Sequence, residues 1–485
     1  MNSSIKFKIT VFLSGFVLMV FELVGLRILA PFLGSSSIVW TSVIGIILLF
    51  MSLGYWKGGQ IADRYPKTQT LGIILALASA SIFLMNIVKN PFLGYLNSFN
   101  LSLIAKSIIA CISLFGATSF LLAMVSPFVI RLSIDKKENS GTTVGSIYSF
   151  SALGSILGTF VGGFVLISWM GTNAIVYGLA IILAATSLLF VSKNSQQMHL
   201  FLVLLLLGNT LLLFRTHEYL DIDSNYSRIF IQDTEYENQS AKFLLLNGYV
   251  NSGMSLGSPN DLIFEYTQFY DLFDFFNPSA NKVLLLGGGA FSYPKHFQAT
   301  FPNKELDVVE IDPELLEISK DHFSFIPSPK TEIFLEDART YLQHSKKKYD
   351  VVLYDVLTSP LSVPFHLTTQ EAFQQVSSTM HSNGILILNI IADLNGESSA
   401  FLESEYLTLK SVFQEVQLYS AQERNVNGLH NYILIAFKGT PVKEPKNLQE
   451  SYLSLLANPI SYEPSGKHKI LTDNFAPTDR LLAGY

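Results

Sequence analysis

Hydrophobic positions divide this chain into two unlike halves. Up to Arg215 they fall in long unbroken runs, and beyond Asp221 they fall in short runs separated by polar, Gly- and Pro-containing turns. A membrane-crossing helix needs about 20 mostly apolar residues. Runs of that kind lie at roughly 8–33, 38–57, 70–90, 101–132, 143–169, 173–193 and 198–214, which predicts seven spans, the fourth long and the seventh short. Backbone groups in lipid have to be satisfied within the segment, so these runs are expected as helices. The fifth carries Gly145, Ser149, Ser151, Gly154, Gly158, Gly162 and Gly163, a pattern of small residues suited to close helix packing.

In the second half the period changes. Ser227–Asp233 and Lys242–Leu246 read as strands, the second followed by Asn247-Gly248, a strong hairpin turn. Leu262–Phe276 reads as an aromatic-rich helix. Val283–Leu286, Leu306–Ile311, Thr331–Leu335, Tyr349–Tyr354 and Gly384–Asn389 read as buried strands, with helices expected up to Thr300 and over Glu314–His322. Asn431–Phe437 reads as a later edge strand. Strands alternating with helices imply a doubly wound parallel sheet. The expected division is a helical domain at 1–215, a small β subdomain with a linker helix at 216–280, and an α/β domain at 281–485.

Composition adds constraints. Net charge is -6, which argues against a nucleic-acid partner, and a single Cys111 excludes a disulfide framework and a cysteine-based zinc site. No metal is expected. Lys6 and Lys8 precede the first run; Lys57, Arg64 and Lys67 lie between the second and third; Arg131, Lys136 and Lys137 lie between the fourth and fifth; Lys193 follows the sixth. The positive-inside rule then puts the N-terminus in the cytoplasm. Seven spans would leave the α/β domain outside, whereas a seventh run lying in the interface or re-entering would return it to the cytoplasm. Glu22 and Arg27 fall inside the first run, where charges are rare; they serve either a polar path or anchor, or a structural ion pair.

In a doubly wound sheet, ligands bind at the carboxyl ends of the strands. Here those ends carry Gly287, Gly288 and Gly289, then Glu310 with Asp312, then Asp337 with Ala338, then Asp355. Glycines allow a ligand close to the backbone. An acid after the second strand can accept two ribose hydroxyls, with Glu310 the first candidate and Asp312 the second. An acid after the third, Asp337, can accept from an adenine amino group. The pattern predicts a nucleoside site.

On these residues the domain resembles the spermidine synthase (polyamine aminopropyltransferase) family, a branch of the class I methyltransferase fold. The resemblance covers roughly Ser224–Ser420 and rests on SRIFIQDT…KFLLLNGYVNSG, VLLLGGG, VVEIDPELLEISK, LEDARTYL and YDVVLYDVLTSP in family order. PFHLTTQEAF and LTDNFAPTDRL are similar to membrane-bound bacterial members. The resemblance implies a multi-pass α-helical membrane bundle fused to a Rossmann-like domain with a small N-terminal β subdomain, in the inner membrane. It implies Gly287–Gly289 along the ligand's tail, Glu310 on the ribose, Asp337 with Ala338 at the adenine, Asp355 as the first aspartate of the family's D-x-x-D loop, and Tyr266 on the substrate side. Three departures stand out. The family's aspartate after the glycines is Ala290 here, and Val356, Leu357, Thr358 and Ser359 offer no match for the second loop aspartate; the helix position beside Tyr266 is Thr267. Candidates to replace the missing base are Asp355, His366, Asp473 and Asp479, with Tyr293 or His296 near the glycine loop.

The co-substrate implied is S-adenosylmethionine, its decarboxylated form or methylthioadenosine, with an amine or membrane-associated acceptor, membrane lipids as surroundings and room for a homo-oligomer. A competing reading starts from Gly58–Arg64 (GGQIADR), which resembles the loop between helices two and three of major facilitator transporters. On that reading the chain is a transporter or sensor whose nucleoside- or polyamine-binding domain regulates the helices.

Overall fold

A computed structural model describes residues 3–34, 36–99, 101–134, 140–190, 208, 220–356, 363–396, 399–421, 429–440, 450–457 and 459–482. The chain divides into two compact units, Met1–Glu218 and Tyr219–Tyr485.

The first unit is helical: α1 (Ser3–Leu33), α2 (Ser37–Arg64), α3 (Thr68–Asn97), α4 (Leu103–Ser133), α5 (Ser140–Val161, continued by a π-helical turn at Gly162–Leu166) and α6 (Thr172–Leu188). Among the described residues five helices are long and apolar enough to cross a membrane, and α6, at 17 residues, is shorter. The seventh run, 198–214, lies outside the described residues apart from Gly208.

Small residues set the helix contacts. A Cβ on Gly154 would stand 2.0 Å from the Phe12 carbonyl oxygen, and one on Gly158 would stand 2.5 Å from that of Phe16. Gly162, in the turn that continues α5, likewise abuts Val20, so Gly154, Gly158 and Gly162 meet α1 in parallel register. The same device joins α2 to α4: Gly54 faces Phe120 and Ala123, and Gly58 faces Met124. Such spacing lets backbones approach where no hydrophobic driving force separates lipid from protein. The parallel pair ends in an ion pair, Arg131 Nε to Asp63 Oδ1 at 2.9 Å. Within the bundle Lys89 is buried and donates to Asn173 Oδ1 at 2.5 Å.

The second unit begins with an antiparallel meander of β1 (Leu220–Asp223), β2 (Arg228–Tyr236), β3 (Gln239–Leu246) and β4 (Tyr249–Ser255). The β3–β4 turn has Asn247 at φ 52 and Gly248 at φ 84, the pair of positive φ values that a two-residue type I′ turn requires. The predicted helix over Leu262–Phe276 is broken into α7 (Glu265–Gln268), a 3₁₀ turn (Phe269–Asp271) and α8 (Leu272–Phe276). Phe269, Tyr270, Leu272 and Phe273 are all buried, more sides than one amphipathic helix can hide.

The main sheet follows with β5 (Lys282–Leu286), α9 (Ser292–Thr300), β6 (Glu305–Glu310), α10 (Pro313–His322), β7 (Thr331–Leu335), α11 (Ala338–His344), β8 (Tyr349–Tyr354), α12 (Gln370–Thr379), β9 (Met380–Ala392), α13 (Ser399–Lys410), β10 (Glu415–Ser420), β11 (His430–Phe437) and β12 (Pro459–Ile460). Its order is β12-β10-β11-β9-β8-β5-β6-β7. Strands β9, β8, β5, β6 and β7 are parallel, and β10, β11 and β12 join antiparallel. Alternate residues of each central strand enter opposite cores: Leu284 and Leu286 one, Val283 and Leu285 the other. Both faces are covered, which is why these strands read as continuous apolar runs. For the same reason β11, predicted as an edge, is interior, hydrogen-bonded to β9 and β10 on its two sides.

Candidate nucleoside site

The chain winds outward from β5 through β6 to β7, then returns to β8 on the other side of β5. The reversal lies between β5 and β8, and a crevice is expected outside their carboxyl ends. A cavity of about 160 Å³ opens there, lined by the glycine turn, Glu310, Asp312, Asp337, Ala338, Asp355, Tyr266 and Tyr293 among others. It thus gathers every sequence-predicted binding residue.

The glycines are required by geometry. Gly287 has φ +93, and a Cβ there would lie 2.0 Å from the Asp355 carbonyl oxygen. Gly289 has φ +52, with the side chains of Ser252 and Asn251 in the space a Cβ would take. The turn is held from both sides: Gly287 N–H donates to Val309 O at 2.8 Å and Asp355 N–H to Leu286 O at 2.9 Å.

Glu310, at the end of β6, accepts from Gly288 N–H at 2.7 Å and Gly289 N–H at 3.1 Å through Oε2, and from Asp312 N–H at 2.9 Å through Oε1. Burial raises its carboxyl above the ordinary range, and those three backbone donors pull against the rise. A carboxylate offers about four acceptor positions, so with three filled by backbone donors about one remains for a hydroxyl. Asp312 lines the cavity, but its carboxylate is committed: it caps α10 at Glu314 N–H and accepts the Ser224 hydroxyl from the β meander. Asp337 caps α11 through Oδ1, at 3.0 Å from Thr340 N, and meets His366 Nε2 through Oδ2 at 3.1 Å. Burial acts to raise Asp337, but the Thr340 donors and His366 outweigh it and hold the group below the usual aspartate range.

Asp355 ends β8. Asn389 Nδ2 donates to its Oδ1 at 3.1 Å. Desolvation raises its carboxyl above the ordinary range, opposed by Asn389 and by the nearby hydroxyls of Tyr270 and Tyr266. The Tyr270 hydroxyl stands close without a well-aligned hydrogen bond. Asp355 is therefore a carboxylate kept more basic than usual, with aromatic walls. Ala290, where the family resemblance expects an acid, is fully buried, and its N–H donates to Ser252 Oγ at 3.1 Å.

Three proposed replacements for the missing base have their polar atoms engaged by other residues. Asp473 does not line the cavity; its carboxylate is held by Arg339 Nη2 at 2.7 Å and Thr369 Oγ1 at 2.6 Å, a brace between α11 and the segment before α12. Tyr293 lines the cavity with its ring, but its hydroxyl donates to Asp271 Oδ1 at 3.0 Å. His296 pairs with Asp271 Oδ2 at 2.9 Å and with the Asn260 carbonyl. His366 does line the cavity, where it meets the adenine candidate Asp337. The loop after Asp355, residues 357–362, lies outside the described residues.

Sequence reasoning missed Asn251, Ser252, Tyr270 and Asn389. Asn251 is the extra residue of a bulge, because Leu244 pairs with Ser252 and Leu245 with Val250; bulges re-aim side chains. Tyr270 and Asn389 had signals: the first lies four residues after Tyr266, and the second is the polar end of the apolar run of β9.

Residues 270–436 match the spermine/spermidine synthase domain family. A polyamine aminopropyltransferase of Vibrio vulnificus is 28% identical over 222 residues, covering 42% of this chain and 71% of that protein. The eEF1A lysine and N-terminal methyltransferase of Homo sapiens is 30% identical over 168 residues, covering 32% of this chain and 22% of that one. A probable spermidine synthase from Corynebacterium glutamicum superposes over 53% of this chain and 97% of that one, with 20% identity and a TM-score of 0.45. Within the C-terminal part of the chain, residues 270–436 thus carry the spermine/spermidine synthase domain match.

Proposed function

We propose that this chain is a membrane-bound transferase that takes S-adenosylmethionine as co-substrate and delivers an alkyl group to an amine nitrogen, on a free amine or a membrane-associated acceptor. The observation that carries the reading is the cavity itself: a glycine cradle, Glu310, Asp337 and one raised carboxylate, Asp355; next to the cradle, Ala290 stands where the family resemblance expects an acid. The glycines let the neighbouring chain close on the cavity, since a Cβ at Gly287 would collide with the Asp355 carbonyl and one at Gly289 with the side chains of Ser252 and Asn251. An alanine at 290 removes a partner for an ammonium at the ligand's tail and leaves a tail carboxylate unrepelled, which favours S-adenosylmethionine over its decarboxylated form. Two relatives support a nitrogen acceptor, one named for polyamine aminopropyl transfer and one for lysine and N-terminal methylation.

The chemistry asks little of the protein. The acceptor nitrogen forms a bond to a carbon on the sulfonium sulfur, the carbon–sulfur bond breaks, and its electron pair stays on sulfur. Positioning and water exclusion supply most of the acceleration. The nitrogen must be neutral to attack and must lose a proton afterwards. Asp355, made more basic by desolvation, accepts that proton. Tyr266 and Tyr270 flank the nitrogen and exclude water.

Calorimetric titration of the full-length protein in detergent tests the reading. Binding of S-adenosylmethionine tighter than of the decarboxylated form is expected; the reverse order overturns the tail assignment, and binding of neither overturns the function. Release of S-adenosylhomocysteine with candidate amines would report methyl transfer, and release of methylthioadenosine would report transfer of the longer chain.

The transporter or sensor reading draws support from the Asp63–Arg131 pair joining two helix ends and from Lys89 buried among apolar helices. It requires ligand-dependent flux with no turnover.

A further inference from the structure

We propose that His366 is a latch on the adenine pocket, competing with the base for Asp337 and making nucleoside affinity depend on pH. The inference rests on the adenosyl reading above. Both oxygens of Asp337 are already engaged. Oδ1 accepts from Thr340 N and Oγ1 at 3.0 and 3.3 Å, which fixes it as the helix cap. Oδ2, the oxygen not used as the cap, meets His366 Nε2 at 3.1 Å, and both residues line the cavity. An adenine amino group is a hydrogen donor and needs that same oxygen.

The backbone around the latch is fixed, and its side chain is the movable part. Arg339 Nη1 donates to the His366 carbonyl at 2.7 Å, and Tyr354 Oη donates to the Leu367 carbonyl at 2.6 Å. The imidazole itself is 40% exposed, so it can turn out toward water at little cost. Histidine is the side chain that ordinarily changes charge between about pH 5 and pH 8. When charged, it makes a stronger, charge-assisted bond to Asp337. Acid therefore closes the latch and alkali releases it. The other charged groups facing this corner are the Arg339 guanidinium, braced by Asp473, and Glu336, which pairs with His344 at 3.5 Å. Asp337 sits below the ordinary aspartate range and stays ionised across the interval. Glu310 sits above the ordinary glutamate range, so its own titration enters every profile. The contribution of His366 is the difference between wild type and a variant.

Binding of methylthioadenosine to full-length protein is measured at about pH 5.5 and pH 8, for wild type, His366→Ala and His366→Gln. A hydrogen bond worth about 1 kcal/mol corresponds to roughly fivefold in affinity. Wild type should bind roughly fivefold more weakly at the lower pH than the Ala variant does, with the two converging at the higher pH. The Gln variant, which keeps a neutral donor, should show the shallow pH dependence of Ala. His344→Ala should follow wild type. Weaker binding by His366→Ala at both pH values would make the histidine a binding partner and overturn the latch. Equal profiles in all variants would overturn the latch alone, while no binding by wild type at either pH would overturn the adenosyl reading and the latch with it.

Discussion

Replacing Gly287 by alanine tests how the glycine turn holds the site together. The backbone there has φ +93, a region L-residues enter at a cost of roughly 1–3 kcal/mol. The added Cβ would stand 2.0 Å from the Asp355 carbonyl oxygen, a backbone atom at the end of the neighbouring strand. No side-chain rotation relieves such a contact, so β5 and β8 have to separate at their carboxyl ends, adding roughly 1–3 kcal/mol of overpacking strain. Together these give a loss of about 2–6 kcal/mol, concentrated where the cavity opens. Because Asp355 N–H donates to Leu286 O, the same displacement moves the proposed proton acceptor. Hydrogen-exchange mass spectrometry on the full-length protein reads this directly: peptides covering β5 and β8 should lose protection while those of the β meander keep it. Titration of the same protein with methylthioadenosine should show no measurable binding. Unchanged protection of β5 and β8, or nucleoside affinity within about threefold of wild type, well under the 1.4 kcal/mol that a tenfold change represents, would refute the argument.

Asp355→Asn should lower turnover by about 10²-fold or more, the usual contribution of a general base, with nucleoside affinity little changed; parallel kinetics and calorimetry separate the two. Acidity gives a second check. Asp355 and Glu310 bind protons more tightly folded than unfolded, so their contribution to stability is present below the ordinary carboxylate range and lost as pH rises through their elevated values. The melting temperature of Asp355→Asn, followed by near-ultraviolet circular dichroism without ligand, should therefore gain on wild type as pH rises from about 4 to 7; a gain only at the acid end would contradict the assignment. In the helical unit, Gly154→Leu should break the α1–α5 contact and abolish a monodisperse peak in size-exclusion chromatography, whereas Gly145→Leu, with nothing within 4 Å, should leave it intact. Equal behaviour of the two would mean the contact does not hold the bundle.

The sequence alone determined the two-part architecture, the parallel strands and the strand-end residues of the cavity. Each rests on a local signal. Apolar runs of membrane length admit only helix, continuous short apolar runs mark strands covered on both faces, and the end of a run fixes which residue stands at a strand's carboxyl terminus. Gly287–Gly289, Glu310, Asp337 and Asp355 were legible for that reason. Breaks in those local signals limited the rest. The β2–β3 turn at Glu237-Asn238 takes positive φ without a glycine, a weaker local signal than Asn247-Gly248. Asn251 reaches the cavity through a bulge, a property of two strands together. Asp473 and His366 looked alike as lone polar residues near the family's motifs, yet contacts more than 25 residues away in the chain separate them. Arg339 and Thr369 take Asp473 away from the cavity, and Asp337 draws His366 onto its rim. Which carboxylate stays available for chemistry is decided by the donors that surround it, and only the tertiary structure assembles those donors.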